Sequence, residues 1–148
     1  MDLTALPQDY RRKPNGVVGG QFSMHFTGAV AAQTGSLTWD DYARYLSDPT
    51  TLELAQRIDV QEDADMDAIY PERMGGKVTL CFADGVTKSR CVEIPKGEPE
   101  NFPEADMHRA KFLSLARPVL GDDAEALQQK LICLDQLEDL SELFPDQG

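Results

Sequence analysis

The chain has 148 residues, 41% of them hydrophobic and 27% charged, and carries a formal net charge of -12. Its length suits one domain with a real core, and the composition is ordinary for a globular chain. The charge is not ordinary: it serves solubility and argues against a nucleic-acid backbone or an anionic membrane as partner, since both would be repelled, while a small acidic substrate can still be met by local basic residues.

Residues 1–6 read as a short strand, with Leu3 and Ala5 against Thr4 and Leu6, ended by Pro7. Arg11-Arg12-Lys13 is the only dense basic cluster. It sits in a stretch containing Pro14, Asn15-Gly16 and Gly19-Gly20, all turn formers, which predicts a surface loop. Such a loop either carries solvated charges or contacts an anion.

From Phe22 the pattern turns helical, with Phe22, Phe26 and Ala29/Val30 at i, i+4 and i+7/8. Gly28, Ala29, Ala31 and Ala32 make this a small-residue helix that another element can approach closely, and Gly35 closes it. Thr38 with Asp41 three residues on has capping-box spacing, for a helix carrying Trp39, Tyr42 and Leu46. Asp48-Pro49 is an N-cap acid followed by proline at the first helical position. The helix it starts holds Leu52 and Ala55 and is expected to run into a strand over 57–60. Residues 62–67 carry four carboxylates, but the glycine and the distal glutamate of a calcium loop are missing, so no metal is expected there.

The central feature is a hairpin over 77–94. Val78, Leu80 and Phe82 alternate with Lys77, Thr79 and Cys81, the period of a half-buried strand. Asp84-Gly85 fits a two-residue type I′ turn. That turn would pair Phe82 with Thr87, Leu80 with Ser89 and Val78 with Cys91 on a buried face, leaving Lys77, Lys88, Arg90, Thr79, Cys81 and Val92 on the other. Cys81 and Cys91 would then point to opposite faces, which disfavours a bridge. With Cys133 they make an odd count without metal-ligand spacing, which fits free thiols in a reducing compartment.

A proline-punctuated loop, Pro95 to Pro103, leads to a helix over 104–117 with Met107, Ala110 and Leu113 on a face widened by Phe112 and Ala116, and Pro118 as its stop. Asp122 with Glu125 is expected to cap the last long helix, whose Leu127, Leu131 and Leu134 start a stripe continued by Leu137, Leu140 and Leu143. The stripe reads as core. No segment approaches the roughly 20 apolar residues of a membrane span, and Met-Asp-Leu-Thr lacks a leader pattern. The expected location is cytoplasmic.

Little chemistry is visible locally. There is no nucleophile elbow, phosphate-binding glycine motif, H-x-x-x-H or C-x-x-C. Of the two histidines, His108 reads as a surface residue, while His25 follows Gln21-Phe22-Ser23-Met24 at a helix start, where free N–H groups and the dipole favour a carboxylate.

The order of motifs says more. Phe22-Ser23-Met24-His25-Phe26 with Ala29-Val30-Ala31, then Gly35, then Thr38-Trp39-Asp40-Asp41-Tyr42, resembles the start of the C-terminal domain of the MmgE/PrpD family. Tyr70-Pro71, Lys77-Val78-Thr79-Leu80, Ala83-Asp84-Gly85, Pro95-Lys96-Gly97-Glu98-Pro99-Glu100-Asn101, Lys111-Phe112, Pro118-Val119-Leu120 and Leu134-Asp135-Gln136-Leu137-Glu138-Asp139-Leu140 continue that resemblance in order, from about Pro14 onward. The family includes 2-methylcitrate dehydratase, cis-aconitate decarboxylase and iminodisuccinate epimerase. These act on small di- or tricarboxylates without an essential cofactor, as two-domain chains in which an α+β domain closes over a helical catalytic domain.

The resemblance implies that residues 1–148 form a single α+β domain, with 1–20 a partly loop-like arm. Its antiparallel sheet would be built on the hairpin, with helices mainly on one face. The implied role is a lid, inactive without a helical MmgE/PrpD-type domain or subunit, with no cofactor and no metal. The alternative is a non-catalytic acidic binding or oligomerisation module of the same fold; homo-oligomers are compatible with both. Family members often carry a basic residue before the Phe-Ser pair, where this chain has Gln21. The candidate substrate-binding residues are therefore Gln21, Ser23, His25 and Lys13, and no catalytic residue is assigned.

Overall fold

The computed structural model describes residues 8–143; the strand expected over 1–6 lies outside them. They form an α+β fold of helices and one two-stranded antiparallel sheet, in two compact units that divide between Asp63 and Ala64.

Among the described residues the only regular elements of the first unit are helices. Two short helices, α1 (Gln8–Arg12) and α2 (Gly16–Gln21), occupy the stretch expected to be loop-like. The glycines there serve packing as well as turning: a Cβ on Gly20 would lie 3.1 Å from Tyr42 and 3.3 Å from Leu46. Helix α3 (Met24–Thr34) starts one residue after its cap, Ser23, and ends at Gly35, whose φ of 77° is the left-handed cap conformation. Phe22 precedes α3 and is 82% exposed, so it is not on the buried face.

Thr38 starts α4 (Trp39–Tyr45), and Asp41 reaches back to the Thr38 N–H at 2.6 Å. Asp48 starts α5 (Pro49–Gln56) and accepts the Thr51 N–H at 2.7 Å. Phe26, Val30 and Tyr42 form the core of the unit, with Val17, Tyr45 and Leu46 packed against it. The small residues of α3 do admit a close neighbour. Ala29 and Ala55 are both fully buried, Gln33 bonds Thr51 across the α3–α5 pair at 3.2 Å, and a Cβ on Gly28 would come within 3.3 Å of Ile58.

Residues 57–60 form no strand. The Ile58 carbonyl accepts from Arg12 Nη2 at 3.2 Å, so a side chain takes the group that a neighbouring strand would use.

In the second unit a short helix, α6 (Ala64–Ala68), precedes β1 (Gly76–Cys81) and β2 (Thr87–Val92). The register is Val78 opposite Arg90, Thr79 opposite Ser89 and Leu80 opposite Lys88, one residue off the sequence expectation. The turn explains the slip. Gly85 donates to Phe82 O at 3.0 Å and Phe82 donates to Val86 O at 2.8 Å, which makes a three-residue loop, Ala83-Asp84-Gly85. Gly85 alone supplies the positive φ, 84°, whereas a type I′ turn needs it at two positions.

The slip moves Lys88, Arg90 and Val92 onto the face of Val78, Leu80 and Phe82. It also places Cys81 and Cys91 on one face, opposite Thr87 and Lys77, four positions apart along the ladder and unbridged. Both faces of the hairpin are exposed, so Val78, Leu80 and Phe82 are not the buried residues expected (62%, 49% and 46% exposed).

Helix α7 (Ala105–Leu120) runs through Pro118, whose ring removes one bond near the end, and stops at Gly121 with φ 58°. Helix α8 (Asp123–Ile132) follows Asp122, which makes no side-chain cap; Glu125 instead accepts from Arg117 Nε at 2.9 Å. Ala124 and Gln128 are the buried residues of α8, while Leu131, Leu134 and Leu140 are exposed, so that part of the leucine stripe is not core. Among the described residues no helix is long and apolar enough to cross a membrane.

Candidate anion site at the start of α3

Ser23 fixes the first turn of α3. Its hydroxyl accepts the Phe26 N–H at 3.0 Å and donates to the Arg11 carbonyl, while its own carbonyl accepts the Thr27 N–H at 2.9 Å. The cap therefore also holds the end of α1. The N–H groups of Met24 and His25, at the first two helical positions, have no carbonyl of their own helix to bond.

Arg12 crosses from α1 to the segment after α5. Its Nη2 donates to Asp59 Oδ1 at 2.7 Å as well as to Ile58 O. Ser23 and His25 are each only 1% exposed. Burial pushes the His25 pKa below its usual 6.5; the charge of Arg12 and then that of Arg11 act in the same direction, and Asp59 opposes them. The imidazole is therefore neutral at neutral pH.

Among the described residues, the buried side-chain nitrogens and oxygens without a hydrogen-bond partner are Arg11 Nη2, Arg12 Nε, His25 Nδ1 and His25 Nε2. All belong to this cluster. A buried polar group without a partner costs about 1–3 kcal/mol, so their gathering in one place marks it as a place for a ligand. Two guanidinium donors and a helix start favour an anion, and a planar carboxylate suits the guanidinium fork.

Of the four candidates read from the sequence, Ser23 and His25 lie in this cluster. Lys13 is exposed on the link between α1 and α2, and Gln21 is exposed at the end of α2. Sequence reasoning missed Asp59, 47 residues from the arginine it pairs with, because no local pattern links them. It noticed the basic triplet but not that its first two members close over a helix.

In the second unit a groove of about 750 Å³ is lined by Phe102, His108, Phe112, Leu131 and Ile132, with Arg109 and Gln128 among its polar members. Gln128 there already donates to Arg109 O at 3.0 Å, and His108 stacks on Phe102. The groove is mainly apolar, and none of the unpartnered polar atoms lies in it. The chemistry favours the α3 cluster. Among the described residues no group of three or more His, Cys, Asp or Glu side chains could hold a metal ion.

The chain matches a family model described as the MmgE/PrpD C-terminal domain over residues 4–136. No curated protein matches it significantly.

Proposed function

The chain belongs to the MmgE/PrpD C-terminal domain family, and from that membership we propose that it is the substrate-closing domain of a lyase or isomerase acting on small di- or tricarboxylates. The observation that carries this reading is the cluster of Arg11, Arg12 and His25 at the start of α3, with buried donors that lack partners. In this role the domain binds and orients rather than reacts. The guanidinium groups hold a substrate carboxylate and the buried surroundings keep water from it, which strengthens the contact.

A helical domain supplies the groups that move protons, since acid–base catalysis needs partners positioned on both sides of the reacting carbon. The chain alone is accordingly inactive toward methylcitrate, cis-aconitate and iminodisuccinate. Robust turnover by the purified chain, abolished by a point mutation within it, would overturn that. Titration with succinate while following backbone amide shifts tests the site. Shifts are expected at residues 11–12 and 23–26; shifts confined to the Asp84-Gly85 turn or to α7 and α8 would remove the assignment.

A second reading, a non-catalytic binding or oligomerisation module, draws on the exposed hairpin face where Val78, Leu80 and Phe82 lie beside Lys88 and Arg90. Loss of self-association or partner binding on charging that face, with succinate binding absent, would favour it.

A further inference from the structure

The hairpin leaves backbone groups over along each side. Phe82 donates to Val86 O at 2.8 Å, so the hydrogen-bonded pairs of the ladder recur at every second residue, Leu80 with Lys88 and Val78 with Arg90. Thr79 and Ser89 lie between them as a closely spaced pair, their hydroxyl oxygens 2.7 Å apart. The N–H and C=O groups of Thr79 and Cys81 therefore point away from β2, and those of Ser89 away from β1. Among the described residues no third strand joins the sheet, and no backbone hydrogen bond reaches Thr79, Cys81 or Ser89 from outside it. A two-stranded sheet is marginal in water, and an open edge is a template for another strand.

The two edges differ in the charges that self-pairing would bring together. An antiparallel pair of β2 strands centred on Ser89 sets Lys88 opposite Arg90 of the second copy, and Arg90 opposite its Lys88. Like charges directly opposite each other destabilise a sheet. The same pairing of β1 centred on Thr79 sets Val78 opposite Leu80 of the second copy and Lys77 opposite its Cys81, so no like charges are opposed. All six residues of β1 are exposed. The geometry points to the outer edge of β1 as a surface for a second copy of this chain, paired antiparallel about Thr79 into a four-stranded sheet. The stripes of Val78, Leu80 and Phe82 from the two copies then run side by side on one face. This edge shares no residue with the α3 cluster, so its failure would leave the carboxylate reading intact.

The test is the mass of the full chain by sedimentation equilibrium, from about 10 μM to about 1 mM at about 0.15 M salt, which screens the repulsion between two acidic chains. A thiol reductant is present throughout, because the three cysteines are free. The mass is expected to rise from that of one chain toward that of two. In a mixture of isotope-labelled and unlabelled chain, contacts between copies are expected at the methyl groups of Val78 and Leu80. A mass that stays at one chain up to about 1 mM would overturn the second copy as the occupant and leave the edge to a strand of another protein. A dimer whose contacts between copies map to α7 and α8 or to the first unit would overturn the surface.

Proline variants address the edge itself. The Thr79 N–H points outward, so Thr79→Pro removes a donor that the second copy would use without removing a bond between β1 and β2. Ser89→Pro does the same on the other edge. Thr79→Pro is expected to raise the dissociation constant of the dimer more than about tenfold, and Ser89→Pro to change it less than about threefold. Unchanged amide protection at Leu80 and Lys88 reports that the hairpin stays formed. Equal effects of the two variants on a formed hairpin, or none from Thr79→Pro, would overturn β1 as the pairing edge. The labelled mixture needs no variant and decides the surface if a proline opens the hairpin.

Discussion

Ser23 and Arg11 are joined through a hydroxyl that serves two chains of bonds: it donates to the Arg11 carbonyl and accepts the Phe26 N–H at 3.0 Å. One side chain thus caps α3 and ties α1 to it. Replacing Ser23 by Ala removes the cap and leaves two buried backbone groups short of a partner. The expected loss is about 1–2 kcal/mol in urea unfolding, and amide exchange should rise at Phe26 and in α1. A loss below about 0.5 kcal/mol, the level of an ordinary surface change, would mean that water replaces the hydroxyl and that α1 is not held through it.

His25 makes stability depend on pH in a definite direction. Its folded pKa lies below the unfolded 6.5, because burial and two arginines oppose the charged ring. Between the two values the unfolded chain binds more protons, so stability rises with pH there. The benefit of a neutral imidazole is complete above the unfolded value and is lost as pH falls from 6.5 toward the folded value. Unfolding midpoints compared at steps across that window should fall on acidification, and His25→Gln should flatten the dependence. A parent chain that gains stability on acidification through the window would contradict the buried, neutral assignment. Asp48 acts at lower pH: its Thr51 hydrogen bonds hold its pKa down, so its contribution is present above its unfolded 3.8 and fades below.

Helix ends were legible because their signals are local. Asp41 reaches Thr38, Asp48 caps at Thr51 and Gly35 turns left-handed, each within four residues of the pattern that announces it. The hairpin was legible as a hairpin, but its register depended on a single backbone angle at Asp84, which residue type does not fix. A glycine-rich stretch read as loop because glycine is a poor helix former; packing of Gly20 against Tyr42 and Leu46 outweighed that. The candidate site was half legible. Ser23 and His25 stand out at a helix start, whereas the pairing of Arg12 with Asp59 and the burial of His25 arise only once α1 and the segment after α5 meet around α3.

Gly35 offers a clean backbone test. Its φ of 77° lies where a side chain is strained, and a Cβ there meets no atom within 4 Å. Gly35→Ala should therefore cost about 1 kcal/mol through conformation alone, with amide changes confined to the end of α3. A neutral or stabilising result would place the end of α3 in an ordinary right-handed turn.

The last prediction separates the two units. Phe26 is fully buried against Tyr42, with ring centroids 5.9 Å apart, so Phe26→Ala should cost about 3–5 kcal/mol, the range for a buried aromatic. Leu80 alternates as a core strand residue would, yet it is 49% exposed on a hairpin whose two faces are both uncovered. Leu80→Ala should then cost less than about 1 kcal/mol, because little apolar area leaves water at that position on folding. Parallel urea titrations of the two variants decide it. A Leu80→Ala cost of about 2 kcal/mol or more, the range of a buried leucine, would mean that the face of Val78, Leu80 and Phe82 is covered in solution. A small cost at Phe26 would instead undo the core on which the α3 site is built.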